Sequence, residues 1–534
     1  MPKVMYAKTT GTRVSGYSTL GDTSDANCYA TPKLALAQVG SDWTSDDSII
    51  VVDGTFSLNN METNTAAALS GVTINIVGSS NDPTLCTVQS TSATLPLFNM
   101  NKSGSAYALA VSGMTLKKTV AHTSSSVGVF MHCPRSEALD LSFTDCRILD
   151  TTFTLSVVSV YAFFNVASNG VRTLTFTRVT FEGLSSASLG GICFAAALVA
   201  GCKVVFIDCD FNTITHDNTA ESGFAGGFSQ LLGVEIYNCR VNGIDIDSKA
   251  TTSLACYPFF YLEQPTIIAG LVMQNLTIAG GACGPAGVHI KNTYDIDDLT
   301  IEDFSSTPAA DVNTTGGSLL INGESAQGTL NNFIARRGIS NHGAGIYFTQ
   351  GGGGTVEDWR VEDCESRINA LVSISGWGNV TMRRGKILTG RTGELTDPTD
   401  AGLGGAIYMH NHPTQSTHVA VREIEDLLIL GVTNEQPDGY NVLYIRNANE
   451  TYAHNVTLNN IYADCPGNVR LVAFSENERC ALNISGSGNI INGGQENVFE
   501  DFNGTGTRDI DNFDDIKFSR RGVVIGSSIT RTVL

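Results

Sequence analysis

The side chains of this chain that could do chemistry are carboxylates, histidines and tyrosines. Three acids, Glu394, Asp397 and Asp400, share one polar stretch, LTGRTGELTDPTDAG at 388–402. Each could give or take a proton as a general acid or base. Tyr347, Tyr408 and Tyr444 sit in three related segments, GAGIYFTQ at 343, GGAIYMHN at 404 and NVLYIRN at 441. In a strand, alternate residues face opposite sides. If Ile346, Phe348, Ile407, Met409, Leu443 and Ile445 point inward, the three tyrosines point outward. His410 and Arg446 then follow on the same side, two residues later. Tyrosine rings beside a His, an Arg and acids make a sugar platform: rings cover sugar C–H faces and polar groups bind hydroxyls. The plain alternative, a tyrosine ladder with a solvated edge, uses the same residues.

Other constellations carry less. His410, His412 and His418 have no adjacent Asp or Cys to complete a ligand set, so no metal is expected. Gly351–Gly354 is a turn without the Lys-Ser/Thr of a phosphate loop, and no Gly-x-Ser-x-Gly elbow occurs. No cofactor is expected. Thirteen dispersed cysteines with no CxxC read as reduced, buried small hydrophobes.

The elements that position these residues show as a repeat. An apolar alternation ending in Asp or Asn, then often Cys, recurs as LDLSFTDCRI at 139–148, VVFIDCDF at 204–211 and VEIYNCRV at 234–241. It returns as VEDWRVEDC at 356–364 and VTLNNIYADC at 456–465. Starts at Leu141, Leu174, Val204, Val234, Leu271, Leu299 and Leu330 lie 28 to 37 residues apart. A second, Gly-led strand alternates with the first, and no 10–15-residue helix intervenes. A unit of about 30 residues holding several short strands fits one coil of a parallel β-solenoid. Stacked coils place Cys146, Cys209, Cys239, Cys364 and Cys465 in one inward column, with the preceding Asp or Asn at a left-handed bend. The same offset sets Asp208 between Arg178 and Asn238, and Asp210 between Thr180 and Arg240. Asp208/Asp210, Asp245/Asp247, Glu357/Asp358 and Glu362/Asp363 therefore read as bend residues and surface ion pairs. Between Val380 and Leu428 the spacing swells to 48 residues. The added polar loops (388–402, 410–418 and 432–440) flank the tyrosine segments, where binding residues concentrate on a rigid scaffold.

The 534 residues include 52 acidic against 32 basic ones, a net charge of −20. That opposes binding to nucleic acid or an anionic membrane surface. The longest apolar runs, such as 191–201, are too short to span a bilayer, so no membrane insertion is expected. MPKVMYAKTTG has no apolar core, so no secretory signal peptide is expected.

Thr31-Pro32 reads as an N-cap and first helical residue, with a short helix at about 32–39 and Gly40 at its end. DDSIIVVDGTF at 46–56 follows as a strand. Here the chain resembles the pectate-lyase-like right-handed parallel β-helix superfamily, most of all bacteriophage tailspike and tail-fibre proteins. The resemblance implies an all-β, right-handed, single-stranded parallel β-helix over 30–500 with a short N-terminal capping helix. Residues 1–29 read as a polar arm and 501–534 as a C-terminal cap or subunit contact. It also implies a homotrimer in the virion tail, made in the host cytoplasm and contacting other tail or virion proteins. Such a protein binds, and in some members degrades, a host surface polysaccharide. Whether this chain is an enzyme stays open. A stand-alone polysaccharide lyase or glycoside hydrolase and a non-enzymatic solenoid adhesin are the alternatives.

Overall fold

A computed structural model describes residues 1–492, 508 and 509, apart from 63–68, 100–105, 122, 124–129, 134–138, 150–151, 154–163, 167–170, 187–193, 197–202, 219–227, 232, 249–258, 281–286, 309–316, 342, 369, 394–404, 412–417, 435–440, 450, 467–469 and 476–481. The chain is a parallel β-helix with almost no helix, as the repeat predicts. It divides into two compact units, 1–264 with 270–272, and 265–269 with 273–534.

In the first unit, Val4–Ala7, Ser48–Val51, Ser70–Gly78, Ala106–Ser112, Leu139–Thr144, Val171–Thr177, Lys203–Ile207 and Gly233–Ser248 pair in parallel, each with the next. Period-2 alternation then stacks like on like. Phe143, Phe176 and Phe206 share a register column, with ring centroids 5.3 Å apart at each step. After the bend a second column runs Leu116–Ile148–Phe181–Phe211–Val241. The bend itself needs one left-handed residue, supplied by Asp145, Arg178, Asp208 and Asn238 at φ of 51–52°. Asp and Asn tolerate this region best. Arg178 adds a bidentate bridge to Asp145 of the preceding coil, Nε–Oδ1 2.6 Å and Nη2–Oδ2 2.9 Å. The predicted alignment of Asp210 between Thr180 and Arg240 is the observed register.

In the first unit a second left-handed residue follows five positions after the bend, at Gly183, Thr213 and Gly243. The second unit keeps both bends: the first is at Asn275, Asp298, Asn332, Asp358, Arg384, Asp426 and Asn460, and the second is at Asp303, Arg337, Asp363, Thr389 and Gly431. This corrects the single cysteine column. Cys146, Cys209 and Cys239 follow the first bend, with Val179 between the first two, whereas Cys364 follows the second bend. In the second unit the position after the first bend holds Leu299, Phe333, Trp359, Gly385, Leu427 and Ile461 instead. Size is traded between coils there. Trp359 is fully buried, and a Cβ on Gly385 would lie 2.2 Å from its ring. Phe304 covers Gly338 in the same way. Close packing of this kind leaves no room for two large residues in adjacent coils.

Cys28, Cys86, Cys146, Cys209, Cys239, Cys364 and Cys465 are free and buried. Burial pushes the thiols of Cys86, Cys146 and Cys364 up to about 12, which removes the thiolate needed for reaction. Alkylation in denaturant without reductant is expected to label all thirteen cysteines. A disulfide-linked peptide pair in the mass spectrum would contradict the inward packing.

At the N-terminus, the helix is Pro32–Leu36, shorter than predicted, with the Thr31 hydroxyl accepting from Leu34 N–H at 3.2 Å. Gly40 lies beyond its end; Ala37 is the C-cap. Residues 1–29 are more than an arm. Val4–Ala7 is buried and pairs with both Cys28–Tyr29 and Ser48–Val51, so the first rung begins at Val4. Alternation places apolar side chains in this short strand as in any other rung. Of 501–534 only Arg508–Asp509 is described, pairing with Leu482–Asn483. The rest of the predicted cap lies outside the described residues.

Candidate functional site

The tyrosine segments form one parallel sheet in the second unit. Strands Leu319–Asn322, Ile346–Thr349, Val372–Ser375, Gly405–Asn411 and Asn441–Asn447 pair in sequence. Register sets Tyr347, Ser373, Tyr408 and Tyr444 in one column, and Ser375, His410 and Arg446 in the next. Ile346, Phe348, Ile407, Met409, Leu443 and Ile445 are buried, as the alternation requires. Tyr408 and Tyr444 face each other across adjacent coils, centroids 5.5 Å apart and tilted by 35°. The Tyr408 ring also lies 5.7 Å from that of His410.

The exposure of these residues departs from the predicted platform. Tyr408 is only 3% exposed and His410 8%. Tyr408 packs with Ala370, and Tyr444 leans on that pair. Tyr347, Tyr444 and Arg446 are half-buried and keep part of their surface in water. Burial raises the Tyr347 hydroxyl above its ordinary value, partly offset by hydrogen bonds with Thr349 and Ser375. Alternation read the outer face correctly but could not show that the outer face is itself covered at Tyr408. Of the five predicted residues, Tyr347, Tyr444 and Arg446 keep surface in water, while Tyr408 and His410 lie behind it.

The strand ends are tied from inside. Gly376 N–H donates to the His410 carbonyl at 3.0 Å, and the Arg446 carbonyl lies 3.0 Å from His454 Nδ1. Past the strands, Asn411 Nδ2 donates to Asn447 Oδ1 and to the Tyr452 carbonyl, both at 3.1 Å. Asn449 Oδ1 accepts from the backbone of Thr451 and Tyr452 at 2.9 and 2.7 Å. These buried amides fix the turn on which Arg446 ends, since a buried polar group costs free energy unless paired.

The predicted widening is present but smaller. Thr381 and Glu423, adjacent in register, are 42 residues apart, against 26 for Asp358 and Arg384 one coil earlier. The predicted 48 compared positions that do not stack; Val380 pairs with Arg422. Glu394, Asp397 and Asp400 lie outside the described residues, as does His412. His418 is exposed. Among the described residues, no group of three His, Cys, Asp or Glu could hold a metal ion.

The acids of the neighbouring sheet are engaged by arginines. Arg383 bridges Glu357 (3.4 Å) and Glu425 (3.3 Å), and Arg384 binds Asp358 (2.8 Å) and Glu357 (2.7 Å). Hydrogen bonds from Arg384 hold the Glu357 and Asp358 carboxyls below their ordinary range. Such acids stay ionised and are poor proton donors, in keeping with the structural reading of that pair. Sequence reasoning passed over Arg422 and His454, which stand behind the site. The signal was present: Arg422 occupies an inward position between Ala420 and Ile424.

No protein-family model matches this chain. No curated protein matches it, and no solved structure does.

Proposed function

We propose that this chain is a tailspike-like virion protein that binds a host surface polysaccharide along the sheet bearing Tyr347, Tyr444 and Arg446. The observation that carries the reading is the half-exposed Tyr444–Arg446 pair, backed by buried Tyr408 and His410 and bordered by the 42-residue coil. A ring edge and a guanidinium at the rim of a rigid sheet suit a ligand with alternating C–H and hydroxyl surface. A parallel β-helix offers a ligand of repeating units a wall of evenly spaced rungs, about 4.8 Å apart. The net charge of −20 favours a neutral or cationic glycan over a polyanion. The resemblance to tailspikes supplies the homotrimer, the tail location and contacts with other virion proteins. If the bound chain is also cut, Glu394, Asp397 and Asp400 are assigned as acid and base.

The test is titration of purified bacterial surface polysaccharides against wild type and Tyr444→Ala. An anchoring ring should be worth about 1 kcal/mol or more, so binding is expected to weaken about fivefold or more. Arg446→Ala should weaken it as well. Wild-type affinity in both variants, with unchanged melting, would remove the site from this sheet.

A further inference from the structure

The core of the second unit holds a positive charge that no carboxylate among the described residues balances. Arg422 is 1% exposed. Its Nη2 donates to the Gly376 carbonyl at 2.9 Å and its Nη1 to the Val421 carbonyl at 3.2 Å, while Nε–H has no acceptor. His454 stands diagonally on the neighbouring strand, where Ala420 pairs with His454 and Arg422 with Val456. It is fully buried. Its Nδ1 lies 3.0 Å from the Arg446 carbonyl, which accepts only if the ring proton is on Nδ1, and its Nε2 has no partner. Two polar atoms thus remain unsatisfied inside the core, and one belongs to a cation. Buried charges are ordinarily paired, because an isolated one is costly to take out of water.

We infer that this interior site binds a small monovalent anion of halide size, held by Arg422 Nε–H and facing His454. The anion sets a negative charge against the guanidinium, where the two backbone carbonyls supply only dipoles. A neutral His454 presents a lone pair at Nε2, so the ring takes up a proton as the anion enters and then donates to it. Binding is therefore linked to pH and tightens as pH falls. Of the groups facing His454, Arg422 from 420–430 opposes the proton, as does burial beside the apolar Leu482, its register partner in 482–487, while the Arg446 carbonyl from 441–447 favours it; the anion supplies the charge that offsets the opposition. Because Arg422 holds Gly376 and His454 holds Arg446, the anion also stiffens the strand ends beneath the candidate glycan sheet.

The probe is sodium bromide, exchanged against sodium gluconate at constant ionic strength, with thermal unfolding of the full chain as the readout. A ligand that binds only the native state raises the midpoint as its concentration rises. The midpoint of wild type is expected to rise with bromide, more at pH 6 than at pH 7.5, and that of Arg422→Met is not. A wild-type response equal to that of Arg422→Met, or none, would overturn the inference. Should Arg422→Met fail to fold, bromide-soaked wild-type crystals decide. An anomalous peak within hydrogen-bonding distance of Arg422 Nε is the expected result. A water bridging Nε to His454 Nε2 with no anomalous signal overturns it.

Discussion

Trp359→Ala is expected to lower stability by about 3–5 kcal/mol, the usual range for removing a large aromatic from a packed core. Trp359 is among the largest fully buried side chains of the chain. Its ring lies against the backbone of Gly385, in the position that the next coil leaves empty by carrying no side chain. The indole therefore fills the volume of two coils, and its loss leaves a cavity that neither can close alone. The reciprocal change, Gly385→Leu, should cost about 1–3 kcal/mol by overpacking. Gly385 does not have a left-handed φ, so its backbone accepts a side chain and any cost arises from the ring. The double variant moves the volume from one coil to its neighbour. It should be more stable than the sum of the single effects by about 1 kcal/mol or more. Urea unfolding of all four proteins measures the coupling. Strict additivity would show that the ring and the glycine do not share one space.

The same pair shows where reading the sequence succeeds and where it stops. Alternation identifies inward residues because strand period is fixed by the backbone. Hence Ile346, Phe348, Ile407 and Met409 fall where expected. The Asp/Asn-Cys motif identifies bends, because a left-handed residue followed by a small inward one is a local requirement. It does not say which bend. Coils of both units have two with the same requirement, so Asp363-Cys364 resembles Asp208-Cys209 while sitting at a different corner. Trp359 opposite Gly385 is a relation between coils 26 residues apart, visible only once register is known.

The candidate site was legible to the same depth. Alternation assigns Tyr408 and Tyr444 to one outward column, and they are in register. The outward direction is local, but exposure depends on what lies over the sheet, and Tyr408 is covered. Arg422 reads as an error in an apolar pattern until its carbonyl partners are seen. A charged residue at an inward position is the sequence signal for a polar interior, and it was available in AVREIEDL at 420–427.

In halide-free buffer, the chain is expected to lose stability steadily as pH falls from about 6.5 toward 4.5. His289 and His454 are buried in the second unit, and both are pushed down to about 3. Desolvation is the main cause in each; Lys291 adds to it for His289 and Arg422 for His454. An unfolded histidine titrates near 6.5. Below that pH the unfolded chain binds protons at these two positions and the native chain does not, so acid favours unfolding. The loss per ring is about 1.4 kcal/mol for each pH unit between 6.5 and 3, hence about 2 kcal/mol at pH 5. Two rings together give about 4 kcal/mol, with full stability recovered above 6.5. The arginine-bound carboxyls of Asp145, Glu302, Asp303, Glu357 and Asp358 lie below their ordinary values and add acid lability below about pH 5.5, where unfolded carboxylates begin to protonate. The window from about 6.5 to 5.5 therefore isolates the histidines. His454→Gln should halve the slope there, and His289→Gln with it should flatten the curve. Urea midpoints that are the same at pH 7 and pH 5 in wild type would mean that both rings accept protons in the folded chain.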